Sequence, residues 1–203
     1  MEKKLAKNLL EIEAVKINTQ NLFTWASGIK SPIYCDNRQI LSFPHIRNYV
    51  KNLMIELIQQ KFPNVNAIAA VATGAIAMGA LIADTMNLPF VYVRSKPKDH
   101  GMHNLIEGKI DVNANAVVVE DLISTGGSSL FVVDTLRNKN INVLGLVAIF
   151  SYNLNTSQKS FEDSNCQKYT LTNFDVLINN AKEMNYISEI DVDFLIKWRN
   201  NLQ

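Results

Sequence analysis

Residues 116–130, AVVVEDLISTGGSSL, constrain this chain more tightly than any other stretch. Four apolar residues run straight into two adjacent carboxylates, Glu120 and Asp121, at the expected end of a strand over 116–120. A strand so uniformly apolar belongs in a sheet covered on both faces, most often a parallel one. The small residues Ser124, Thr125, Gly126, Gly127 and Ser128 then lead into a helical pattern in Leu130, Phe131, Val133 and Leu136. Backbone N–H groups in such a loop can approach an anion closely, at a helix N-terminus whose dipole favours negative charge. Capping by Asp121 or Ser124 would explain a turn here. It would not explain two carboxylates closing an apolar strand, since each must be solvated, paired or used. Acid pair and anion cradle together suit a ligand with both hydroxyls and a phosphate, such as a ribose 5-phosphate.

The rest of the chain supplies the sheet. Strand patterns at 67–72, 90–94, 116–120 and 143–150 alternate with helical patterns at 75–86 and 126–138. That alternation predicts an α/β fold, with a central, mainly parallel sheet flanked by helices. Ligands bind such sheets at the carboxyl ends of the strands. Thr73, Gly74 and Ala75, the segment 94–100, and the segment 120–128 all fall at such ends. Helical spacing is also read over 2–12 and 45–60, and residues 23–38 form a hairpin-like excursion turned at Ser27 and Gly28. Residues 96–108 read as irregular and 153–167 as a polar stretch, followed by a short strand near 169–171. Helices over 174–181 and 188–200 look like packing elements.

The chain has 203 residues, 47% hydrophobic and 19% charged, enough for one domain with a sizeable core. With 20 basic and 19 acidic side chains the net charge is +1, which gives no reason to expect nucleic-acid binding. The uncharged run 67–83 is too short, and too broken by Thr73 and Gly74, for a membrane span of about 20 residues. Cys35 and Cys166 lie far apart and fit a reducing, cytoplasmic setting. The three histidines and two cysteines have no metal-ligand spacing.

Residues 94–101, RSKPKDHG, concentrate Arg94, Lys96, Lys98 and His100 beside one acid. A charge run is usually a solvated face. This one follows a core strand and continues without clear structure, which suits a lid closing over an anion. Lys30, Tyr34 and Arg38 accompany Phe23 and Trp25 in the hairpin, either as a flap packed on the core or as a hood over a flat ring.

These segments resemble a known family. VVVEDLISTGGSS is similar to the phosphoribosyl-diphosphate signature of type I phosphoribosyltransferases. FTWASGIKSPIYCDNR and RSKPKDHG resemble the hood and catalytic loop of the orotate phosphoribosyltransferases, the Gram-positive bacterial type in particular. The resemblance implies one phosphoribosyltransferase domain over 1–203, with a hood from about 1–40 plus C-terminal elements and a core at about 45–155. It implies transfer of the phosphoribosyl group from 5-phosphoribosyl 1-diphosphate (PRPP) to orotate, in de novo pyrimidine synthesis. It further implies Mg²⁺ held mainly by PRPP and water, and a homodimer with active sites shared between subunits. Lys98, His100 and Asp121 become the catalytic candidates. Arg94, Lys98, His100, Glu120, Asp121, Leu122, Ile123, Ser124, Thr125, Gly126, Gly127 and Ser128 would bind PRPP. Ser124, Lys30, Tyr34 and Cys35 would lie by orotate, and Thr73, Gly74 and Ala75 would form the diphosphate-side loop.

Three positions depart from the enterobacterial pattern. Ala26 and Ser95 stand where that pattern has basic residues, and Phe150-Ser151-Tyr152 offers no arginine near the base. Lys30 or backbone N–H groups are the remaining partners for an orotate carboxylate. A transferase for another nucleobase, or a non-catalytic regulator on the same fold, are the alternatives.

Overall fold

The computed structural model describes residues 1–25, 28–95 and 104–202. Helix α1 (Glu2–Glu11) buries Leu5, Ala6, Leu9 and Leu10, a helically spaced stripe, and is followed by short strands β1 (Val15–Ile17), β2 (Phe23–Thr24), β3 (Lys30–Ser31) and β4 (Ile33–Cys35). A 3-10 turn (Asn37–Ser42) leads into α2 (Pro44–Lys61), which starts with the proline that a helix tolerates at its first position. The core alternation then runs β5 (Ala67–Val71), α3 (Ile76–Met86), β6 (Phe90–Val93), β7 (Ile106–Glu107), β8 (Asn115–Ile123), α4 (Gly127–Arg137) and β9 (Asn142–Ser151). The chain finishes with α5 (Asn155–Asp163), β10 (Lys168–Asn173), α6 (Phe174–Glu183) and α7 (Glu189–Asn200). Asn173 caps α6, and a reciprocal capping box between Ser188 and Asp191 starts α7, a device worth about 1 kcal/mol.

The main sheet has the order β10-β9-β8-β5-β6-β7, parallel throughout except for the antiparallel edge strand β7. All five residues of β5 are buried, as an apolar run between two helical layers requires. Buried residues form one cluster on each face. The first joins α1, α2, α3 and α6 to the sheet through Leu9, Met54, Ile82 and Leu177, and the second seats α4 and α5 through Leu130, Val133, Leu136 and Phe161. Consequently α3, which follows β5, and α4, which follows β8, leave adjacent strands toward opposite faces. A crevice opens between the carboxyl ends of β5 and β8, the place where open α/β sheets bind ligands.

The hood strands pair apart from this sheet, β1 with β4 and β2 with β3, both antiparallel. An aromatic cluster joins them to the C-terminus. Trp25 lies 5.1 Å from Tyr152 and 5.6 Å from Trp198, ring centre to ring centre, and Trp198 Nε1 donates to the Lys30 carbonyl at 3.0 Å.

Two expectations are corrected here. Strand β8 does not stop at Glu120 but continues to Ile123, paired with β9 through Leu122–Phe150 and Ile123–Ser151, so both carboxylates sit within the strand. The polar stretch 153–167 contains helix α5, whose few buried residues include Ser157 and Phe161. Too little apolar periodicity remained there to register as a helix.

Candidate active site

The acid pair divides its labour through strand alternation. Glu120 points into the protein and is 3% exposed, whereas Asp121 is half-buried on the opposite side of the strand. Glu120 Oε2 accepts from Ser129 Oγ of α4 at 2.9 Å, and Oε1 accepts from the Asp121 N–H at 3.0 Å. Burial, and then the neighbouring Asp121 charge, push the Glu120 carboxyl well above its ordinary range. Asp121 lies against the turn after β5. A Cβ built on Gly74 would come within 2.6 Å of Asp121 Cγ, so only glycine lets the carboxylate sit over that backbone. The Ala72–Thr73 peptide in this turn is cis. Thr73 is exposed, Gly74 half-buried and Ala75 buried.

Residues 124–126 link β8 to α4. Gly126 is the N-cap of that helix with φ of +88°, a conformation suited to glycine, and no side chain caps the helix among the described residues. The first N–H groups of α4 therefore remain available to an anion. Thr125, Gly127 and Ser128 are exposed, Ser124 is half-buried, and a Cβ on Gly127 would meet nothing within 4 Å. Leu122 packs against the first core cluster. The Ile123 side chain belongs to the second, and its carbonyl accepts from the Tyr152 N–H at 3.0 Å.

The hood reaches the acids through Asn37, a residue with no local sequence signal. Asn37 is 3% exposed, and its Nδ2 donates to the Asp121 carbonyl at 2.7 Å across 84 positions of sequence. Its Oδ1 is buried without a hydrogen-bond partner among the described residues. Cys35, two residues earlier, has its thiol pushed well above the ordinary value by burial, with the Asp121 and Asp36 charges adding. Lys30 Nζ donates to Thr24 Oγ1 at 2.7 Å across the β2–β3 pair, and Tyr34 is exposed beside the Phe23 ring at 5.8 Å. Arg94, just past β6, pairs with Glu107 of β7 at 3.7 Å. Lys98 and His100 lie outside the described residues, as does the Ser27 turn.

The structure thus brings Glu120, Asp121, residues 73–75 and residues 124–128 to one crevice, ties the hood to it through Asn37, and sets Arg94 at the end of the next strand but one. A concavity of about 650 Å³ lies elsewhere, between α1 and the hood. Tyr34 and Asp36 line it, but neither core acid nor the small-residue loop does. Among the described residues no group of three or more His, Cys, Asp or Glu could hold a metal ion.

Comparison with known proteins identifies the family. A family model described as the phosphoribosyl transferase domain matches residues 36–180. The chain is 50% identical over 201 residues to an orotate phosphoribosyltransferase of Phocaeicola vulgatus, covering 99% of this chain and 95% of that protein. It is likewise 50% identical over 202 residues to one from Staphylococcus epidermidis, covering 100% of each. The solved structure of orotate phosphoribosyltransferase from Aeropyrum pernix shares the fold, with a TM-score of 0.77 at 24% identity over 91% of this chain and 99% of that one. The chain belongs to the phosphoribosyltransferase family, and within that family to the group of its orotate phosphoribosyltransferase relatives.

Proposed function

We propose that this protein is an orotate phosphoribosyltransferase of pyrimidine biosynthesis, converting orotate and PRPP to orotidine 5′-phosphate and diphosphate. One observation carries the site assignment: the half-buried Asp121 carboxylate faces a crevice between the Gly74 turn and the uncapped N-terminus of α4. Full-length likeness to proteins of that name supports the choice of orotate over other bases.

The chemistry follows from charge. As the C1–diphosphate bond breaks, positive charge grows on the ribose and negative charge on the leaving group. Asp121 would stabilise the first and hold the ribose hydroxyls. Glu120, already committed to Ser129 and the Asp121 N–H, fixes the strand and α4 in register. The α4 N-terminus and Ser124 to Ser128 would take the 5′-phosphate, and residues 73–75 and Arg94, with Lys98 and His100 of the lid, would take the diphosphate. Such preorganised charge is usually the largest catalytic contribution. Ionised orotate, held by Ser124 and the hood around Lys30, Tyr34 and Cys35, attacks through nitrogen, so no protein nucleophile is required. Mg²⁺ fits this donor set. With Asp121 the half-exposed member of the acid pair, the ion would be carried chiefly by diphosphate and water, neutralising the leaving group.

We further infer a homodimer, a single domain with hood 1–40 and core 45–155, and a cytoplasmic location. Helix α3 supports the dimer: Met78 and Ile82 are buried, while Ile76, Ala77, Ala80 and Leu81 leave apolar surface half-exposed on the same helix. The free thiols of Cys35 and Cys166 fit a reducing compartment, and no described helix is long and apolar enough to cross a membrane.

The deciding experiment is diphosphate release from PRPP with orotate, uracil, adenine, guanine and hypoxanthine in parallel, with and without Mg²⁺. Release only with orotate and Mg²⁺ is expected. Release with a purine instead would overturn the acceptor, and none with any base would overturn the activity. Lys98→Ala should lower turnover far more than substrate affinity.

A further inference from the structure

The phosphate loop has a second layer behind it. A Cβ on Gly126 would lie 2.7 Å from the Phe161 ring and 3.5 Å from Ser157 Oγ, so the left-handed N-cap of α4 rests on α5. Ser157 is fully buried and Phe161 is 2% exposed. Behind both stands Lys168, at the start of the edge strand β10. Its Nζ donates to Ser157 Oγ at 3.0 Å and lies 4.8 Å from the centre of the Phe161 ring. No ion pair among the described residues includes it. Burial lowers the ammonium's pKa, and the Glu162 charge offsets that only in part.

That placement needs a reason. Strand alternation turns Tyr169 and Leu171 to the first core cluster and Lys168 to the α5 side. A leucine at 168 would cover the Phe161 ring as well, without desolvating a charge. What the ammonium adds is a donor that fixes the Ser157 hydroxyl, and a positive charge set in a region less screened than the surface. Both act on the segment whose N–H groups would meet an anion.

We propose that Lys168 is a positioning residue for the phosphate loop: through Ser157 and Phe161 it holds Gly126 in its left-handed turn, and it places a positive charge behind the site for the sugar 5-phosphate. This rests on the assignment of residues 124–128 given above. Lys168 touches no substrate. Its effect is on how tightly PRPP is held, and it leaves the chemistry at C1 alone.

The test compares K168M, K168R and S157A with wild type in steady-state kinetics, together with calorimetric titration of ribose 5-phosphate. K168M keeps the stem over Phe161 and removes the charge. It should raise the KM for PRPP and the Kd for ribose 5-phosphate about tenfold, while kcat and the KM for orotate stay within about twofold. K168R should restore most of the loss, and S157A should show part of it. An unchanged PRPP KM in K168M would overturn the proposal. So would equal weakening of both substrates with a lowered Tm, or a loss that K168R does not reverse. A T125A/S128A variant separates the two readings. If it weakens PRPP and K168M does not, the brace alone is wrong. If neither weakens PRPP, the loop assignment falls with it.

Discussion

A carboxylate that is 3% exposed, next in sequence to another carboxylate, is favoured by the fold in its protonated form. The folded-state pKa of Glu120 lies above the ordinary 4.5, so its contribution to stability is fully present below that pH and is lost as pH rises through the raised value. Glu120→Gln retains an acceptor for the Asp121 N–H and a partner for Ser129. It should raise Tm near neutral pH by roughly 2–4 °C, with the gain shrinking to nothing below pH 4.5, and it should leave turnover within about twofold. Thermal melts across pH with matched kinetics check both halves, and equal Tm shifts at all pH values would refute the titration argument. Gly74→Ala tests the neighbouring contact. Its Cβ has no room beside Asp121, so the carboxylate must move. About a hundredfold loss of kcat/KM is expected with an unchanged circular dichroism spectrum, since displacements near 1 Å cost that much in catalysis.

At the scale of elements, the hood packs on the first core cluster and is tied down by hydrogen bonds from distant parts of the sequence. Trp198 of α7 donates to Lys30 across 168 positions, Thr19 donates to Asp191, and Asn37 donates to Asp121. Trp198→Phe removes one hydrogen bond and keeps much of the aromatic packing, a change of about 1 kcal/mol. It should raise the KM for orotate severalfold and leave that for PRPP unchanged, and a rise for PRPP alone would contradict the assignment of the hood to the base. Such links explain what sequence reading reached and missed. Strand β8, the acid pair and the small-residue loop each carry a local pattern, apolar run, charge or glycine, and so were legible. Asn37 is one polar residue among several in CDNRQ, and its importance arises only where the chain folds back on β8. Lys168, half-exposed, and Ser157, buried, sit in polar sequence, and their contact becomes visible only once α5 is packed behind Gly126. Strand β7 is two residues long, below the length at which alternation can be read.

For the whole molecule, the half-exposed apolar face of α3 offers a test of the proposed dimer. Leu81→Arg places a charge on the apolar outer surface, so sedimentation should show a dimer for wild type and a monomer for the variant. If the lid serves the neighbouring subunit, mixing inactive Lys98→Ala and Asp121→Asn proteins should regenerate activity that neither has alone, because one of the mixed sites is then intact. No recovery after exchange of subunits would show that each lid serves its own chain. The hood carries a further consequence. Its strands pair only among themselves, whereas the acids and the anion loop belong to the six-stranded sheet. On the assignment proposed above, choice of acceptor lies mostly in the hood and grip on the sugar phosphate in the sheet, with Ser124 shared between them. A lineage could then rewrite residues 14–36 for a different ring while keeping most of the cradle, so one scaffold could be handed from base to base.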